Sequence, residues 1–280
     1  MYHRIVVPLD GSELAERAVR PAAELAERFG STITPVAVVG DDAETLDVKE
    51  HLRDTATRLG REPGDIRVEV GDDPAREILR VIHERPDSLV CMGSHGRSGL
   101  GEALLGSVAK QIVQGTEAPL VLIGPHCREA PLSFERLMAC IDGSTVSEEI
   151  LPLAASWASS LGMQLWLAHV VEPGAAEALA EALERFGSAP SDDVREDNYL
   201  RLVVADLAHH GVKANWDVLH GHDPARAIVD YADAQAISLL AVSTHGRSCW
   251  ARVAIGSTAA RVVHDSPCPV LVMRPRGLHD

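Results

Sequence analysis

The sequence predicts two tandem α/β domains, each a parallel sheet with helices on both faces. The first observation is a repeat, because Gly93–Ser98 returns with two changes as Ser243–Ser248, 150 positions later. The second is that short apolar runs alternate with helical patterns in each half, which is typical of parallel sheets covered on both sides. The third is size, since 280 residues suffice for two ordinary domains, each with its own core.

The repeat extends well beyond the segment Gly93–Ser98. Gly71–Ile78 recurs as Gly221–Ile228, also 150 positions on, whereas Asp10-Gly-Ser recurs at Asp142, 132 positions on. The second half therefore carries 18 extra residues between Asp142 and Gly221. Because solenoid repeats are only about 20–50 residues long, this repeat indicates a duplicated domain.

The boundary between the domains is predicted near Pro131. The segment Pro125–Ser133 holds two prolines and has no clear periodicity, as expected of a linker. We therefore predict a first domain over 1–131 and a second over 132–280.

Five apolar runs of the first half predict strands at Arg4–Leu9, Thr32–Val39, Ile66–Val70, Ser88–Met92 and Pro119–Gly124. Helical spacing predicts helices over Ala15–Phe29, Ala43–Leu59 and Pro74–Arg85, and another that begins at Ser107. Pro21 should kink or split the first helix, because proline has no amide hydrogen and clashes with the preceding turn.

The second half repeats this order. Its predicted strands are Leu137–Ile141, Gln164–Val171, Trp216–Leu219, Leu239–Val242 and Pro269–Met273, and its predicted helices are Val146–Leu161, Pro224–Ala234 and Ser257–His264. The extra residues fall within Glu172–Asn215, where we predict a helix over Ala175–Phe186 and a polar loop over Ser188–Asp193. The aliphatic last strands suit pairing across halves or chains, because unpaired edge strands are a liability.

Composition excludes several classes of function. The net charge of −15 argues against binding a nucleic-acid backbone, and no apolar run approaches the ~20 residues of a membrane span. The five cysteines are odd in number and lack a Cys-x-x-Cys pair, which indicates no metal cluster or disulfide framework. A strand pattern begins within four residues of Met1, so we expect no signal peptide and a cytoplasmic location.

Each glycine loop follows the fourth strand at its carboxyl end, where open α/β sheets bind ligands. Gly93 and Gly96 would let the backbone approach a ligand and adopt positive φ. Gly106-Ser107 would then offer free backbone N–H groups at a helix N-terminus, whose dipole favours phosphate. The hydroxyls of Ser107 and Ser257 either contact phosphate or metal, or simply cap their helices.

These residues resemble the universal stress protein family, in its tandem form, over nearly the whole chain. The nucleotide-binding branch of that family carries Gly-x2-Gly-x9-Gly-Ser/Thr, which Gly93, Gly96, Gly106 and Ser107 match. The family also has an Asp that closes the first strand, matched by Asp10 and Asp142. The resemblance implies Rossmann-like (adenine nucleotide alpha hydrolase-like) domains with five-stranded parallel sheets that bind ATP along the strand ends.

The resemblance also implies individual roles. Asp10 would contact the adenosine moiety, the backbone of Val38 would pair with adenine, the loop would hold the phosphates, and Val170 would serve the second site. A divalent metal such as Mg²⁺ would bridge the phosphates, and the domains would associate through their last strands as an internal pseudo-dimer. The predicted binding residues are Pro8, Asp10, Val38, Gly93, Ser94, His95, Gly96, Arg97, Gly106, Ser107 and Val108, with Asp142, Val170, Thr244, His245, Gly246, Arg247, Gly256, Ser257 and Thr258 in the second half.

The second half departs from the pattern at two positions. Ser243 replaces the first motif glycine, and Cys140 stands where Pro8 precedes Leu9-Asp10. A side chain at 243 is tolerated at negative φ and costs about 1 kcal/mol or more at positive φ. We expect the second site to bind as well.

Several residues keep a second interpretation. Asp10 and Asp142 could merely cap the following helices. The histidines at 95 and 245 are expected to position the loops through ring hydrogen bonds to the backbone rather than to act in catalysis. The arginines at 97 and 247 would reach phosphates or pair with nearby acids.

Three functions are open at this point. The first is a cytoplasmic ATP-binding stress-response or sensor protein with little or no turnover, favoured because no Gly-x4-Gly-Lys-Ser/Thr loop supplies a lysine for the γ-phosphate. The second is a slow ATPase. The third is a structural dimerisation or partner-docking module with vestigial nucleotide sites, which could also form a homodimer.

Overall fold

A computed structural model describes residues 2–41, 45–58, 66–96, 104–171, 196–245 and 255–275. Its strands in this part of the chain are β1 (Arg4–Pro8), β2 (Thr32–Val39), β3 (Arg67–Val70), β4 (Ser88–Gly93), β5 (Leu120–Ile123), β6 (Arg136–Ile141), β7 (Gln164–Val171), β8 (Ala214–His220), β9 (Leu239–Ser243) and β10 (Val270–Met273). Its helices there are α1 (Glu13–Glu16), α2 (Val19–Phe29), α3 (Thr45–Arg58), α4 (Pro74–His83), α5 (Ser107–Gly115), α6 (Thr145–Glu148), α7 (Ile150–Leu161), α8 (Glu196–His209), α9 (Pro224–Ala234) and α10 (Ser257–Asp265).

The predicted α/β fold is confirmed. Among the described residues, the strands form one ten-stranded sheet in the order β3-β2-β1-β4-β5-β10-β9-β6-β7-β8. Within each half the neighbouring strands are parallel, and β1 lies between β2 and β4 just as β6 lies between β7 and β9. Each half is thus a five-stranded parallel sheet, and the halves repeat the same strand order.

The two halves meet through their last strands. β5 and β10 pair antiparallel, with Leu122 opposite Val270, Val121 opposite Leu271 and Leu120 opposite Val272. This pairing removes the two edges that β5 and β10 would otherwise expose. The sequence-based expectation that the aliphatic terminal strands pair across the halves therefore holds within this chain.

The sheet is covered on both faces by apolar clusters that run across the junction of the halves. One face packs α2, α7 and α8, and the other packs α4, α5, α9 and α10. At the junction the rings of Tyr2, Phe29 and Trp157 meet edge to face, with centroids 5.1–6.0 Å apart. The indole Nε1 of Trp157 donates to the Tyr2 hydroxyl over 2.9 Å, so this polar atom is satisfied although Trp157 is fully buried.

Proline splits the first helix of each half. α1 ends at Glu16 and α2 begins at Val19, with Pro21 in the first turn of α2, as predicted. The continuous helix predicted over Val146–Leu161 is wrong, because the structure divides it into α6 and α7. Pro152 lies in the first turn of α7, where its ring would clash with the carbonyl of Glu148 in an unbroken helix.

One helix escaped the sequence analysis. α8 lies between β7 and β8 and buries Tyr199, Leu200 and Val203 in the core. It occupies the place in the second half that α3 has in the first. The predicted helix Ala175–Phe186 and loop Ser188–Asp193 lie outside the described residues, as do Ala43 and Leu59 at the predicted ends of α3.

Most other predicted elements match within one to three residues at each end. The largest strand difference is at β8, which is longer than the predicted Trp216–Leu219 because its ends are paired with β7. No helix among the described residues has the length and apolar character needed to cross a bilayer.

Candidate functional site

Each half holds a cavity at the carboxyl end of its sheet. The first lies at the ends of β1 and β4 and has a volume of about 290 Å³. The second lies at the ends of β6 and β9 and has a volume of about 220 Å³. In both halves the helices that follow these two neighbouring strands pack on opposite faces of the sheet. Such a switch point is where open α/β sheets bind ligands.

Every predicted binding residue that the structure describes lines one of these cavities. The first cavity is lined by the predicted residues Pro8, Asp10, Val38, Gly93, Ser94, His95, Gly96, Gly106, Ser107 and Val108. The second is lined by Asp142, Val170, Thr244, His245, Gly256, Ser257 and Thr258. Arg97, Gly246 and Arg247 lie outside the described residues.

Asp10 connects the end of β1 to the start of α1. Its Oδ1 accepts hydrogen bonds from the amide of Ser12 over 3.0 Å and from the Ser12 hydroxyl over 2.6 Å. Ser12 is the residue that caps α1, because its Oγ accepts from the amide of Ala15 over 3.3 Å. The alternative in which Asp10 is itself the cap is therefore wrong, and its carboxylate instead orients the capping serine.

The same arrangement recurs in the second half. Oδ1 of Asp142 accepts from the amide and the hydroxyl of Ser144 over 3.0 and 2.6 Å, and Ser144 caps α6. In addition, the amide of Asp142 donates to the Ser147 hydroxyl over 3.1 Å. The two acidic residues are thus held alike at the mouths of the two cavities.

Close packing explains the motif glycines. A Cβ built at Gly96 would overlap Oδ2 of Asp10, and one built at Gly93 would lie 2.8 Å from the carbonyl oxygen of Leu14. Neither glycine has a positive φ, contrary to the expectation from sequence. Both positions instead lack room for a side chain, Gly93 beside the backbone of α1 and Gly96 beside the Asp10 carboxylate. Gly96 therefore fixes the position of the Asp10 carboxylate relative to the loop.

The amides of the helix-starting glycines are already paired. Gly106 N donates to Ser94 O over 2.8 Å, and Gly256 N donates to Thr244 O over 2.7 Å. The expectation that these two amides are free for an anion is wrong, because they tie the returning chain to the end of β4 or β9. The backbone N–H groups that could bind an anion must therefore lie after these glycines, in the first turns of α5 and α10.

The first turns of α5 and α10 have no side-chain cap. Their N-cap residues are Gly106 and Gly256, and no side chain in the described part of the chain caps either helix with a hydrogen bond. By contrast, Ser12, Asp73, Ser144 and Asp223 cap α1, α4, α6 and α9 through their side chains. Ser107 and Ser257 are the first helical residues, so the alternative that they are caps is also wrong. The uncapped turns leave donors at the positive end of the helix dipole, facing the cavity.

His95 and His245 are buried beside these turns. Nδ1 of His95 lies 3.0 Å from the Ser94 hydroxyl, and Nδ1 of His245 lies 2.8 Å from the Thr244 hydroxyl. The predicted ring hydrogen bonds to the backbone stay a prediction, and these contacts join each ring to the hydroxyl of the residue before it. They orient the rings, which agrees with a positional role.

The departures from the motif are accommodated in the second half. Ser243 is buried, and it is not among the residues with positive φ, so its Cβ causes no backbone strain. Cys140 lines the second cavity, and burial raises the pKa of its thiol to about 12, so it remains protonated. Neither change blocks the cavity.

Sequence reasoning missed the apolar walls. Ala15, Val36, Ile78 and Met92 line the first cavity, and Ala168, Ile228, Val242 and Ala259 line the second. In the sequence these residues have the pattern of ordinary core residues. The structure shows that each of them also lines a cavity. The repeated Asp-Pro-Ala turn did carry a signal, since Pro74 and Pro224 lie at the two rims.

Each cavity has an apolar side and a polar side. Their walls from β2 and α4, or β7 and α9, are apolar, whereas the opposite side offers an uncapped helix N-terminus and a carboxylate. Among the described lining residues the ionisable side chains other than Cys140 are Asp10 and His95 in the first cavity and Asp142 and His245 in the second, and none is a lysine or arginine. A ligand with a flat apolar part and a phosphate fits this division.

Comparison with known proteins agrees with the fold. The family model described as Universal stress protein family matches residues 1–124 and 133–274. A universal stress protein of Mycolicibacterium smegmatis is 26% identical over 298 residues, covering 97% of both chains, and one of Mycobacterium tuberculosis is 27% identical over 316 residues with the same coverage. The crystal structure of a universal stress protein from Archaeoglobus fulgidus covers 97% of this chain and 96% of its own, at 20% identity and a TM-score of 0.68.

Proposed function

Because the chain belongs to the universal stress protein family, we propose that it is a cytoplasmic ATP-binding protein of the stress response, a sensor with little or no catalytic turnover. The observation that carries the proposal is the pair of uncapped helix N-termini, each beside an apolar-walled cavity. At a helix N-terminus the backbone N–H groups and the helix dipole favour phosphate, and of the uncapped helices α5 and α10 are the ones whose first residues line a cavity.

The proposed orientation of ATP follows from the two sides of the cavity. The phosphates bind at the first turn of α5, where Ser107 and Val108 line the cavity. Adenine lies against the apolar wall near Val36, Val38 and Ile78, and the Asp10 carboxylate lies between these ends, where it suits a ribose hydroxyl. The second site follows the same plan with Ser257, Thr258, Val170 and Asp142.

Mg²⁺ fits this site as a partner of the phosphates rather than as a protein-bound ion. Oxygen donors of the kind that Mg²⁺ prefers are present in Asp10, Ser94 and Ser107. In the described part of the chain, no group of three potential metal-ligating side chains converges in either cavity. The ion would therefore be held mainly by the nucleotide, and its charge would screen the phosphates, which have no described lysine or arginine beside them.

Low turnover is inferred from the same cavity. Phosphoryl transfer requires cationic groups that stabilise the developing charge and a residue that orients the nucleophile. The described lining offers no such cation, and the ring of His95 is oriented by Ser94. A site that binds the phosphates through backbone donors holds ATP without strongly activating it.

The proposal is tested by identifying, with mass spectrometry after denaturation, the nucleotide that co-purifies with the chain. Calorimetric titration with ATP and a coupled assay for ADP then separate binding from turnover. We expect saturable ATP binding and ADP production near background. Asp10→Ala should weaken binding at the first site roughly 10–100-fold, the usual worth of a hydrogen bond to a charged group, whereas Asp54→Ala on the exposed face of α3 should not.

Two outcomes would contradict the proposal and favour another function. ADP production well above background that is lost in Asp10→Ala would make the chain an ATPase. A melting temperature that does not respond to millimolar ATP would indicate a structural module, because a ligand that binds only the folded state must raise its stability.

A further inference from the structure

A cluster of metal-ligating side chains lies at the junction of the two halves, and none of its members lines either cavity. It consists of His126, which follows β5, and His264 and Asp265, which end α10. One potential ligand atom from each of the three lies within 4.8 Å of the others. Among the described residues this is the one such group.

The contacts of the two imidazoles indicate which nitrogen of each can bind a metal. Nδ1 of His126 lies 3.0 Å from the carbonyl oxygen of His264, and a carbonyl can only accept, so this nitrogen carries the hydrogen and Nε2 keeps its lone pair. Metal-binding histidines are typically held as His126 is, with the other ring nitrogen donating to a carbonyl or carboxylate. Nδ1 of His264 lies 2.6 Å from Oδ1 of Asp265, so these two atoms face the same point, and a cation can take the place of the hydrogen between them.

The surroundings of the cluster favour a cation of the transition series. Imidazole nitrogen and carboxylate oxygen are the ligands that Zn²⁺ and its neighbours accept, whereas Mg²⁺ prefers oxygen alone. His126 is exposed, so an ion can enter from solvent, and the rings of His126 and His264 have centroids 5.1 Å apart. The charged group facing Asp265 is the Arg261 guanidinium, 4.0 Å from its Oδ2, while Oδ1 faces His264.

We propose that His126, His264 and Asp265 form a binding site for one divalent transition-metal ion such as Zn²⁺ per chain. Tetrahedral Zn²⁺ with bonds of about 2.1 Å needs its ligand atoms roughly 3.4 Å apart. The three potential ligand atoms lie within 4.8 Å of one another, so side-chain movement would have to bring them to that separation around the ion. Three protein ligands leave a fourth position to water.

The duplication shows why the site is single. By the offset of 150 residues, the counterparts of His264 and Asp265 in the first half are Gln114 and Gly115, which offer no equivalent ligands. The pseudo-symmetric junction thus carries the cluster on one side only. His264 also places its ring edge-on to His95, with centroids 5.9 Å apart, so the metal would lie beside the first cavity.

The site is tested by titrating the full chain with ZnCl₂, after chelation and dialysis have removed bound metal and nucleotide. We expect one Zn²⁺ per chain, and Co²⁺ should give visible absorption of a four-coordinate ion. Removing nucleotide matters because ATP phosphates themselves bind metal ions. The result therefore does not depend on whether the proposed ATP sites exist.

Variants distinguish this site from the other histidines of the chain. His126→Gln, His264→Ala and Asp265→Asn should each weaken Zn²⁺ binding at least tenfold, because each removes or weakens one of the three ligands. His210→Ala, on an exposed residue elsewhere, serves as the control and should bind as the unaltered chain does. Because His126 is exposed, its variant should fold normally even if a change at His264 disturbs α10.

The proposal is overturned if the unaltered chain binds no Zn²⁺ at one equivalent. It is also overturned if His126→Gln binds as tightly as the control, because Zn²⁺ is then held by other groups. The same conclusion would follow if the Co²⁺ spectrum of His126→Gln were the same as that of the control His210→Ala.

Discussion

Val121 and Leu271 lie opposite one another at the centre of the antiparallel β5–β10 pair, and they are also counterparts in the 150-residue repeat. The flanking pairs exchange their members, since Leu120 faces Val272 and Leu122 faces Val270. A local pseudo-twofold axis therefore passes through the Val121–Leu271 pair. The duplication has thus placed two copies of the same strand against each other within one chain.

The axis predicts that the junction contributes strongly to the stability of the whole chain. Leu271 is fully buried, so Leu271→Ala should lower the free energy of unfolding by about 2–5 kcal/mol, through lost burial and a residual cavity. Urea unfolding followed by far-UV circular dichroism measures this change. Leu46→Ala serves as the control, because Leu46 is 79% exposed and its loss should change stability by less than about 0.5 kcal/mol. Equal effects of the two variants would mean that the β5–β10 pair is not closely packed.

The contact between Gly96 and Asp10 predicts a specific effect on binding. Gly96→Ala would push its new methyl group into Oδ2 of Asp10, so the carboxylate or the loop must move. We expect ATP affinity at the first site to fall at least tenfold, as measured by calorimetry. Gly40→Ala is the matched control, since no heavy atom of the described residues lies within 4 Å of the new Cβ and Gly40 has no positive φ. Unchanged affinity in Gly96→Ala would show that this contact does not position the site.

The two helix-starting glycines should differ in tolerance. A Cβ at Gly106 would lie 3.1 Å from Ser94 O and 3.2 Å from the Cα of His95, whereas one at Gly256 would lie 3.4 Å from Thr244 O. Gly106→Ala should therefore weaken the first site severalfold, and Gly256→Ala should leave the second site nearly unchanged. The two affinities come from two-site fits to calorimetric titrations. The reverse order of sensitivity would contradict the packing described here.

The free energy of unfolding should decrease at acidic pH partly because Glu84 becomes protonated. The Arg67 guanidinium donates two 3.0 Å hydrogen bonds to this carboxylate and holds its pKa below the ordinary 4.5, and buried Arg4 lies 3.6 Å from it. Because the folded pKa is the lower one, this stabilisation is present at neutral pH and is lost as pH falls below about 4.5.

Denaturation of Glu84→Gln across pH 3–7 checks this sign. Its deficit in unfolding free energy against the unaltered chain should be largest at neutral pH and should shrink on acidification. Glu50→Gln, on an exposed position of α3, should show no such pH-dependent deficit. A deficit that grows toward low pH would mean that Glu84 is not stabilised as a carboxylate.

The architecture could be predicted well from the sequence because the duplication is visible in the sequence itself. Gly93–Ser98 and Ser243–Ser248 could recur at the same spacing only if the strands and helices around them recur too. α8 was missed because its buried residues, Tyr199, Leu200 and Val203, owe their burial to neighbours on β7 and β8 that are distant along the chain.

Details of the site were harder to predict for a similar reason. A glycine in a motif is compatible with positive φ or with close packing, and only the positions of Leu14 and Asp10 show that packing decides at Gly93 and Gly96. Likewise, His126 and His264 are 138 positions apart, and only the β5–β10 junction brings them together. Local patterns carry no information on such contacts.

The central claim is that two helix N-termini in one chain each hold the phosphates of an ATP molecule. Its most direct test is the number of ATP molecules bound by the purified, nucleotide-free chain, determined by calorimetry and by native mass spectrometry. We expect two per chain, falling to one in Gly106→Val, whose side chain would press on Ser94 and His95. No bound nucleotide in the presence of excess ATP, with the chain folded, would contradict the account.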